Sequence, residues 1–223
     1  KEVSNISKVL DDIQRPFCAI LGGAKVSDKI KLIENLLDKA DKIIIGGGMA
    51  FTFIKAKGGH IGKSLCEEDK LNLANDLLAR ASEKGVEFLL PVDAKVSETF
   101  SDEGLFVTRP IDDIPDGWMG LDIGEASISL FEEAILSSRM ILWNGPMGVF
   151  EFSNFAHGTF EIASALAKAT QNGAFTLIGG GDSVAAISKA GLEDAVSFVS
   201  TGGGAMLEMI EGKILPGVAA MQE

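Results

Sequence analysis

Cysteine and histidine are both scarce in this sequence of 223 residues, which contains two of each. Cys18 and Cys66 lack the spacing of metal ligands, and we expect buried or incidental free thiols of a reducing compartment, without a functional role. His60 and His157 belong to no H-E-x-x-H motif and have no cysteine partner at a zinc-site spacing. The sequence therefore gives no support for a zinc site, and we expect both histidines at the surface.

Basic residues are also few, because 20 lysines and arginines stand against 32 acidic residues, for a formal net charge of −12. This balance argues against a general nucleic-acid surface or an anionic-membrane surface, since both use basic patches. No apolar stretch approaches the roughly 18 uninterrupted residues of a membrane span, and no signal-peptide pattern opens the chain. We therefore expect a soluble, cytoplasmic protein that binds any anionic ligand at a local site.

The first residue is Lys1 rather than a methionine. This start suggests a processed product, a trimmed chain or part of a longer protein. The length favours one large α/β domain over two small ones, with enough residues to bury a substantial core.

Apolar runs alternate with amphipathic segments along most of the chain. In residues 24–40, apolar side chains recur at spacings of three and four, which predicts one continuous helix. Residues 94–123 carry turn signals at Pro110, Pro115 and Gly117, which predicts a loop-rich insertion with at most one short strand. The expected strands are residues 17–22, 42–48, 86–93, 140–145, 174–180 and 196–200, and the expected helices are residues 24–40, 49–57, 67–85, 125–137, 155–171, a helix from Asp182 and a last helix from Gly203.

Strands that alternate with helices at this spacing imply right-handed crossovers and a parallel sheet. The expected fold is α/β, with a three-layer, doubly wound, mainly parallel sheet and helices on both faces, as in Rossmann-like proteins. Ligands of such sheets bind beyond the carboxyl ends of the strands. Five of these ends carry glycine, in the stretches LGGAK (21–25), IGGGM (45–49), WNGPMG (143–148), IGGGD (178–182) and STGGGA (200–205). One such turn is structural as often as functional, but five predict a site for a flat ligand or a phosphate chain.

Three familiar motifs are incomplete. The stretch GGHIGKS is not a P-loop, because Lys57 occupies the position of the first glycine. No G-x-G-x-x-G is present, which removes the main support for a nicotinamide-dependent oxidoreductase. The stretch GDSVA (181–185) has Ala185 in place of the second glycine of a nucleophile elbow, and both histidines precede Ser183, so hydrolase chemistry is not expected.

The polar residues at this glycine-rich edge suit phosphoryl transfer, which depends mainly on positioning and charge neutralisation. Lys25 and Lys29 are four residues apart on one face of the expected helix, where they either face a phosphate or are solvated at the surface. Asp182 follows three glycines at a predicted helix start. Its carboxylate is suited to binding Mg²⁺ beside a phosphate, to capping the helix, or to both.

Six longer stretches together span nearly the whole chain: RPFCAILGGAKVSDKI, IIIGGGMAFTF, IPDGWMGLDIG, WNGPMGVFEF, LIGGGDS and VSTGGGAMLEMIEGKILPGV. In this order they resemble the C-terminal, nucleotide-binding half of the phosphoglycerate kinase family. The resemblance implies reversible, Mg-dependent phosphoryl transfer between 1,3-bisphosphoglycerate and ADP, giving 3-phosphoglycerate and ATP. The attacking oxygen is then already ionised, which agrees with the lack of an obvious general base.

The same resemblance implies roles for single residues. Lys25 would steady the transferring phosphoryl group, and Gly202, Gly203 and Gly204 would present a helix N-terminus to the charge in transit. Glu151 would accept hydrogen bonds from the ribose hydroxyls, and Asp182 would bind Mg²⁺. The other implied nucleotide contacts are Lys29, Asn144, Gly180, Gly181 and Ser183 around the phosphates, and Gly47, Gly48, Leu65, Phe100, Gly120, Leu121 and Val149 around the adenine.

The family's N-terminal half, which holds the phosphoglycerate, does not appear in this sequence. By resemblance, residues 1–14 form an interdomain segment with a partial helix, and residues 15–223 form the nucleotide-binding domain. We expect this chain to bind Mg-ADP or Mg-ATP as a monomer, with little or no transfer activity. The alternative is a non-catalytic nucleotide-binding or interaction module on the same fold.

Two positions depart from the family's pattern. Glu125 stands where the family usually has proline, and His157 stands where a basic residue is usual. Neither belongs to the implied nucleotide contacts.

Overall fold

The computed structural model describes residues 11–211. Its main sheet contains six strands: β1 (Phe17–Leu21), β2 (Lys42–Ile45), β4 (Glu87–Leu89), β9 (Met140–Asn144), β10 (Phe175–Ile178) and β11 (Phe198–Val199). Their spatial order is β11-β10-β9-β1-β2-β4, and all neighbours are parallel. The doubly wound parallel sheet that the sequence predicts is therefore confirmed.

Helices cover both faces of this sheet. Within residues 11–211 they are α1 (Ile30–Leu37), α2 (Ala50–Ala56), α3 (Leu71–Glu83), α4 (Glu125–Leu136), α5 (His157–Gln171), α6 (Gly181–Lys189) and α7 (Gly203–Ile210). Successive side chains of β1 point to opposite faces. Phe17 and Leu21 belong to an apolar cluster with α1, α2, α3 and α7, whereas Cys18 and Ile20 belong to a second cluster with α4, α5 and α6. Two cores on either side of one sheet produce the three-layer fold.

Residues 93–123 form strands instead of the expected loop-rich insertion. These strands are β5 (Asp93–Ser97), β6 (Phe106–Pro110), β7 (Asp113–Ile114) and β8 (Met119–Ile123). β5 pairs antiparallel with β6 and β8, and β7 pairs with β3 (His60–Ile61). The loop prediction was wrong because the turn signals mark the ends of short strands. In addition, every residue of β6 is exposed, so this strand has no alternating apolar pattern to detect.

The continuous helix expected over residues 24–40 was also wrong. Val26–Asp28 forms a 3-10 turn, and α1 begins only at Ile30. Lys25 is extended (φ −127°, ψ 131°), so Lys25 and Lys29 do not share one face of an α-helix. The apolar spacing could not reveal this break, because Ser27 in the turn is hydrogen-bonded to Glu67, 40 residues further along the chain.

The other elements lie close to their predicted bounds. α3 follows a 3-10 turn at Glu68–Lys70, and α5 follows one at Ser153–Phe155. The predicted interdomain segment lies outside the described residues, except for residues 11–14. Within residues 11–211, no helix combines the length and the apolar composition that a membrane span requires.

Candidate functional site

Three of the glycine-rich turns touch one another at the carboxyl edge of the main sheet. Gly23 N donates a hydrogen bond to Pro146 O at 3.2 Å, and Gly47 N donates one to Met147 O at 3.1 Å. The backbones are so close that a Cβ on Gly22 would lie 2.0 Å from Pro146 O. Gly47 has φ +69°, a conformation that L-residues rarely adopt. The prediction that these turns share one edge is confirmed, and glycine is required there to let the turns pack.

A cavity of about 460 Å³ opens beside this bare backbone. It brings together nine of the residues implied by the family resemblance, although they come from widely separated parts of the sequence. They are Gly47, Gly48, Leu65, Phe100, Gly120, Leu121, Val149, Glu151 and Asp182. Their contact with a nucleotide stays a prediction, but the geometry that this prediction needs is present.

Two exposed apolar side chains, Leu65 and Phe100, lie at the mouth of the cavity and are called its lips below. Leu65 and Phe100 are each 62% exposed, which is unusual for large apolar side chains. Lys63 Nζ donates a hydrogen bond to Glu98 O and so connects the two segments that carry these lips. The Phe100 ring also packs on the ring of Phe152, with centroids 5.0 Å apart. The segment that carries Phe100 is therefore held by Lys63 on one side and by Phe152 on the other.

A flat wall lines the cavity below its mouth. A Cβ on Gly120 would lie 2.2 Å from Cζ of Phe51, so the Phe51 ring packs directly against this glycine. Val149 N donates a hydrogen bond to Leu121 O at 2.8 Å, which joins the end of β8 to the segment after β9. A cavity with apolar and backbone walls suits a planar, aromatic ligand.

Lys29 and Asn144 lie side by side at the sheet edge, next to the α6 glycines. Lys29 Nζ donates a hydrogen bond to Asn144 Oδ1, and Asn144 Nδ2 donates one to Gly179 O at 2.8 Å. Burial lowers the pKa of Lys29, against the opposing effect of the Asp28 and Asp182 carboxylates. Neither residue lines the cavity itself. They nevertheless place a cation and an amide at the sheet edge, near the cavity residue Asp182.

Asp182 is the second residue of α6 and is exposed. The helix N-cap is Gly180 (φ +94°), so the alternative in which Asp182 caps the helix was wrong. Within residues 11–211, no group donates a hydrogen bond to the Asp182 carboxylate. This carboxylate therefore faces the cavity with its oxygens available to a cation.

Ser183 and Gly181 occupy different environments in the first turn of α6. Gly181 is exposed, and a Cβ there would meet no atom within 4 Å. Ser183 is fully buried, and its Oγ accepts a hydrogen bond from Gly145 N at 2.6 Å. The Ser183 hydroxyl therefore fastens α6 to the turn after β9, and its predicted contact with the nucleotide stays a prediction.

The residues with implied catalytic roles do not line the cavity. Lys25 is exposed just before the 3-10 turn, Gly203 is the first residue of α7, and Gly204 is exposed. α7 follows the end of β11, so its N-terminus lies at the same edge of the sheet as that of α6. These residues lie outside the cavity, and their implied catalytic roles stay predictions.

Several cavity residues outside the predicted site residues and glycine-rich stretches were missed by the sequence analysis: Ala50, Phe51, Lys63, Pro91, Ile111, Met119, Asp122 and Ile123. Asp122 could have been noticed in the sequence, because a carboxylate inside an apolar strand is rare. Its oxygens accept hydrogen bonds from Ile123 N and Gly158 N, both at 2.9 Å. Burial raises the pKa of Asp122 to about 7, although these N–H groups and the charges of Lys95 and His157 oppose the shift.

The two departures from the family's pattern contact each other. His157 Nε2 lies 2.8 Å from Glu125 Oε1, at the first residues of α5 and α4. Both side chains are at the surface, as is His60, which lies 2.9 Å from Asp116 Oδ1. The prediction that both histidines are surface residues is confirmed.

Sequence comparisons agree on one family. The family model described as phosphoglycerate kinase matches residues 1–213. The chain is 58% identical over 223 residues to the phosphoglycerate kinase of Synechococcus elongatus, and 57% identical over 222 residues to that of Porphyromonas gingivalis. All of this chain is covered in both cases, but only 56% and 53% of the two relatives. The chain therefore spans about half the length of these relatives.

Solved structures of the same family are similar in fold. The phosphoglycerate kinase of Coxiella burnetii has a TM-score of 0.92 at 44% identity, covering 96% of this chain and 55% of that one. The phosphoglycerate kinase of Pyrococcus horikoshii OT3 has a TM-score of 0.78 at 32% identity, covering 99% of this chain and 55% of that one. The family resemblance and the Rossmann-like fold are both confirmed.

Proposed function

Since this chain belongs to the phosphoglycerate kinase family, we propose that it is the nucleotide-binding part of an enzyme that moves a phosphoryl group between 1,3-bisphosphoglycerate and ADP. The observation that carries the proposal is the cavity at the glycine-rich edge. Its walls suit a base, and Lys29, Asn144 and Asp182 lie near it with the chemistry that a Mg-bound phosphate chain requires.

The nucleotide is proposed to enter with its base in the cavity. Gly120, Leu121 and Val149 line this slot, and the exposed Leu65 and Phe100 lie at its mouth. The exposed Glu151 carboxylate accepts hydrogen bonds from the ribose hydroxyls. The phosphates then extend towards Lys29, Asn144 and the first turn of α6.

Asp182 is the residue proposed to hold Mg²⁺. Its exposed carboxylate fits this ion, which usually takes one or two protein carboxylates together with phosphate oxygens and water. Within the described residues, no group of three metal-ligating side chains exists, so the nucleotide and water would supply the other ligands. When bound, Mg²⁺ neutralises part of the charge on the phosphates.

The protein's part in the transfer is proposed to be positioning and charge stabilisation. The attacking oxygen of a phosphate or carboxylate is already ionised, so no side chain has to remove a proton. Lys25 and the N-terminal glycines of α7, Gly203 and Gly204, stabilise the negative charge of the group in transit. The phosphoglycerate is bound by the part of the longer relatives that this chain does not match.

A turnover assay tests whether phosphoryl transfer needs the part of the longer relatives that this chain does not match. We expect this chain to show little or no ATP formation from 1,3-bisphosphoglycerate and ADP, because orientation of both substrates and exclusion of water need the second part. A full-length relative, assayed in parallel, provides the positive control. Turnover by this chain at a rate near that of the full-length relative would contradict the proposal.

A further inference from the structure

Glu67 contacts the segment between the two lysines assigned to phosphate chemistry. Its Oε1 accepts a hydrogen bond from Ser27 Oγ at 2.5 Å, and its Oε2 accepts one from Ser27 N at 3.1 Å. Glu67 N donates a hydrogen bond to Thr52 Oγ1 at 3.1 Å, and Thr52 is buried in α2. Ser27 is therefore anchored to the helix that follows β2.

The 3-10 turn at residues 26–28 needs an anchor of this kind. It is one short turn, closed by the hydrogen bond from Lys29 N to Val26 O at 2.9 Å, and 3-10 geometry is less favourable than that of an α-helix. Val26 is buried, but Ser27 is exposed. The apolar spacing of residues 24–40 favours a continuous α-helix, so a contact from outside the segment must favour the turn.

The turn also determines the positions of the two lysines. Lys25 is the residue before it and Lys29 is the residue after it. A continuous helix would carry both side chains on one face, whereas in the observed arrangement Lys29 reaches Asn144. A change at the turn must therefore change the direction of Lys29.

We propose that Glu67 is a positioning residue for phosphate recognition. Its carboxylate favours the 3-10 turn over a continuous helix by pairing with both donors of Ser27, and thereby places Lys29 beside Asn144. This inference rests on the proposed function, which assigns Lys29 to the nucleotide phosphates. It adds a residue that lies outside the cavity and outside the glycine-rich turns.

Glu67→Gln is the main test variant, with Glu68→Gln as its matched control. A glutamine at position 67 removes the carboxylate charge, and its NH₂ group can pair with the Ser27 hydroxyl only as a donor, so the charge-assisted hydrogen bond from Ser27 Oγ is lost. We expect its affinity for Mg-ADP to fall about tenfold, measured by calorimetry. Glu68 pairs with Lys55 at the surface, and Glu68→Gln should keep wild-type affinity.

Variants at Ser27 keep the inference testable if Glu67→Gln does not fold. Ser27→Ala removes the hydroxyl donor and should lower the affinity for Mg-ADP, whereas Ser27→Thr retains that donor and should keep it. Equal affinities for the two Ser27 variants would contradict the positioning role.

The inference requires that Glu67→Gln lowers the affinity for Mg-ADP by displacing Lys29. In a Lys29→Ala background, we expect Glu67→Gln to change the affinity for Mg-ADP by less than about twofold, because coupled residues are not additive. In a Glu151→Ala background, the full tenfold effect should remain, since Glu151 is assigned to the ribose. The same loss in both backgrounds would indicate a general structural defect and overturn the inference.

Hydrogen exchange at the Ser27 amide gives a readout that needs no nucleotide. We expect this amide to exchange faster in Glu67→Ala, which removes its acceptor, than in the wild type or in Glu68→Ala, and unchanged exchange would overturn the inference. A wild-type chain that binds no Mg-ADP would refute the proposed function instead. A wild-type chain that binds it, together with a Glu67→Gln variant of equal affinity, would refute the positioning inference alone.

Discussion

Lys29 Nζ donates a hydrogen bond to Asn144 Oδ1 across the carboxyl ends of two adjacent strands, β1 and β9. The same amide donates through Nδ2 to Gly179 O, just after the next strand, β10. The Asn144 side chain therefore connects two neighbouring glycine-rich turns to Lys29, at the start of α1, and holds a cationic group beside them. This arrangement is the physical basis for assigning the phosphates to this edge of the sheet.

Replacing Lys29 with methionine removes the ammonium group and retains most of the side chain. We expect Mg-ADP to bind about 10- to 100-fold more weakly, because a charge-assisted hydrogen bond to phosphate is lost. Lys31→Met, on the exposed side of α1, is the matched control and should change affinity less than about twofold. Equal losses for the two variants in calorimetric titrations would contradict the placement of Lys29 at the phosphates.

Asp182→Asn is expected to remove the advantage that Mg²⁺ gives to ADP binding. The amide keeps the size of the side chain but lacks the negative charge that a hard cation prefers. The affinity for ADP, titrated in Mg²⁺ and in chelator, should differ strongly between the two conditions for the wild type and little for Asp182→Asn. Asp194→Asn, in the exposed 3-10 turn after α6, should retain the wild-type difference. A strong Mg²⁺ effect in Asp182→Asn would rule out this carboxylate as the metal ligand.

Gly180→Ala and Gly181→Ala test neighbouring glycines of the same turn. Gly180 has φ +94°, and a Cβ there would lie 2.5 Å from Asn144 Nδ2. We expect Gly180→Ala to lower the free energy of unfolding by roughly 1–3 kcal/mol. Gly181 has open space around the position of a Cβ, so Gly181→Ala should not destabilise the protein. Denaturant unfolding curves check both, and equal midpoints would contradict the tight contact at Gly180.

Asp122 is expected to make stability depend on pH. Burial raises its pKa in the folded state to about 7, whereas an aspartate in an unfolded chain titrates near ~3.9. The folded state therefore holds this proton more tightly, and the resulting stabilisation is complete below pH ~3.9 and lost as the pH rises through about 7. Compared with Asp122→Asn, the wild type should lose up to about 4 kcal/mol of unfolding free energy over this range.

Unfolding curves of the wild type and of Asp122→Asn, collected at matched pH values, measure this difference. The difference between the two proteins removes contributions from other titrating groups. A difference that stays constant with pH, or that grows in favour of the wild type as the pH rises, would contradict the buried, proton-binding state of Asp122.

The glycine-rich edge could be predicted because it depends on local signals. β1 and β2 are short apolar runs followed directly by glycines, and parallel strands buried on both faces have this pattern. Once the strands are parallel, their carboxyl ends must meet at one edge. The family's motifs then assign roles to residues such as Leu65 and Glu151, and the structure places both at the same cavity.

The failures come from contacts between distant parts of the chain. The break in the predicted helix at Ser27 depends on Glu67, and no local spacing contains that information. The small antiparallel sheet was missed because β6 pairs with β5 while all its residues stay exposed. Likewise, the burial of the Ser183 hydroxyl follows from Gly145, on a different strand end. The monomeric state and the cytoplasmic location stay predictions.

A calorimetric titration of this chain with ADP, in the presence and absence of Mg²⁺, tests the central claim most directly. We expect one nucleotide per chain to bind in Mg²⁺, with weaker binding when the ion is chelated. The absence of any ADP binding by a folded chain would contradict the assignment of the glycine-rich cavity to a nucleotide.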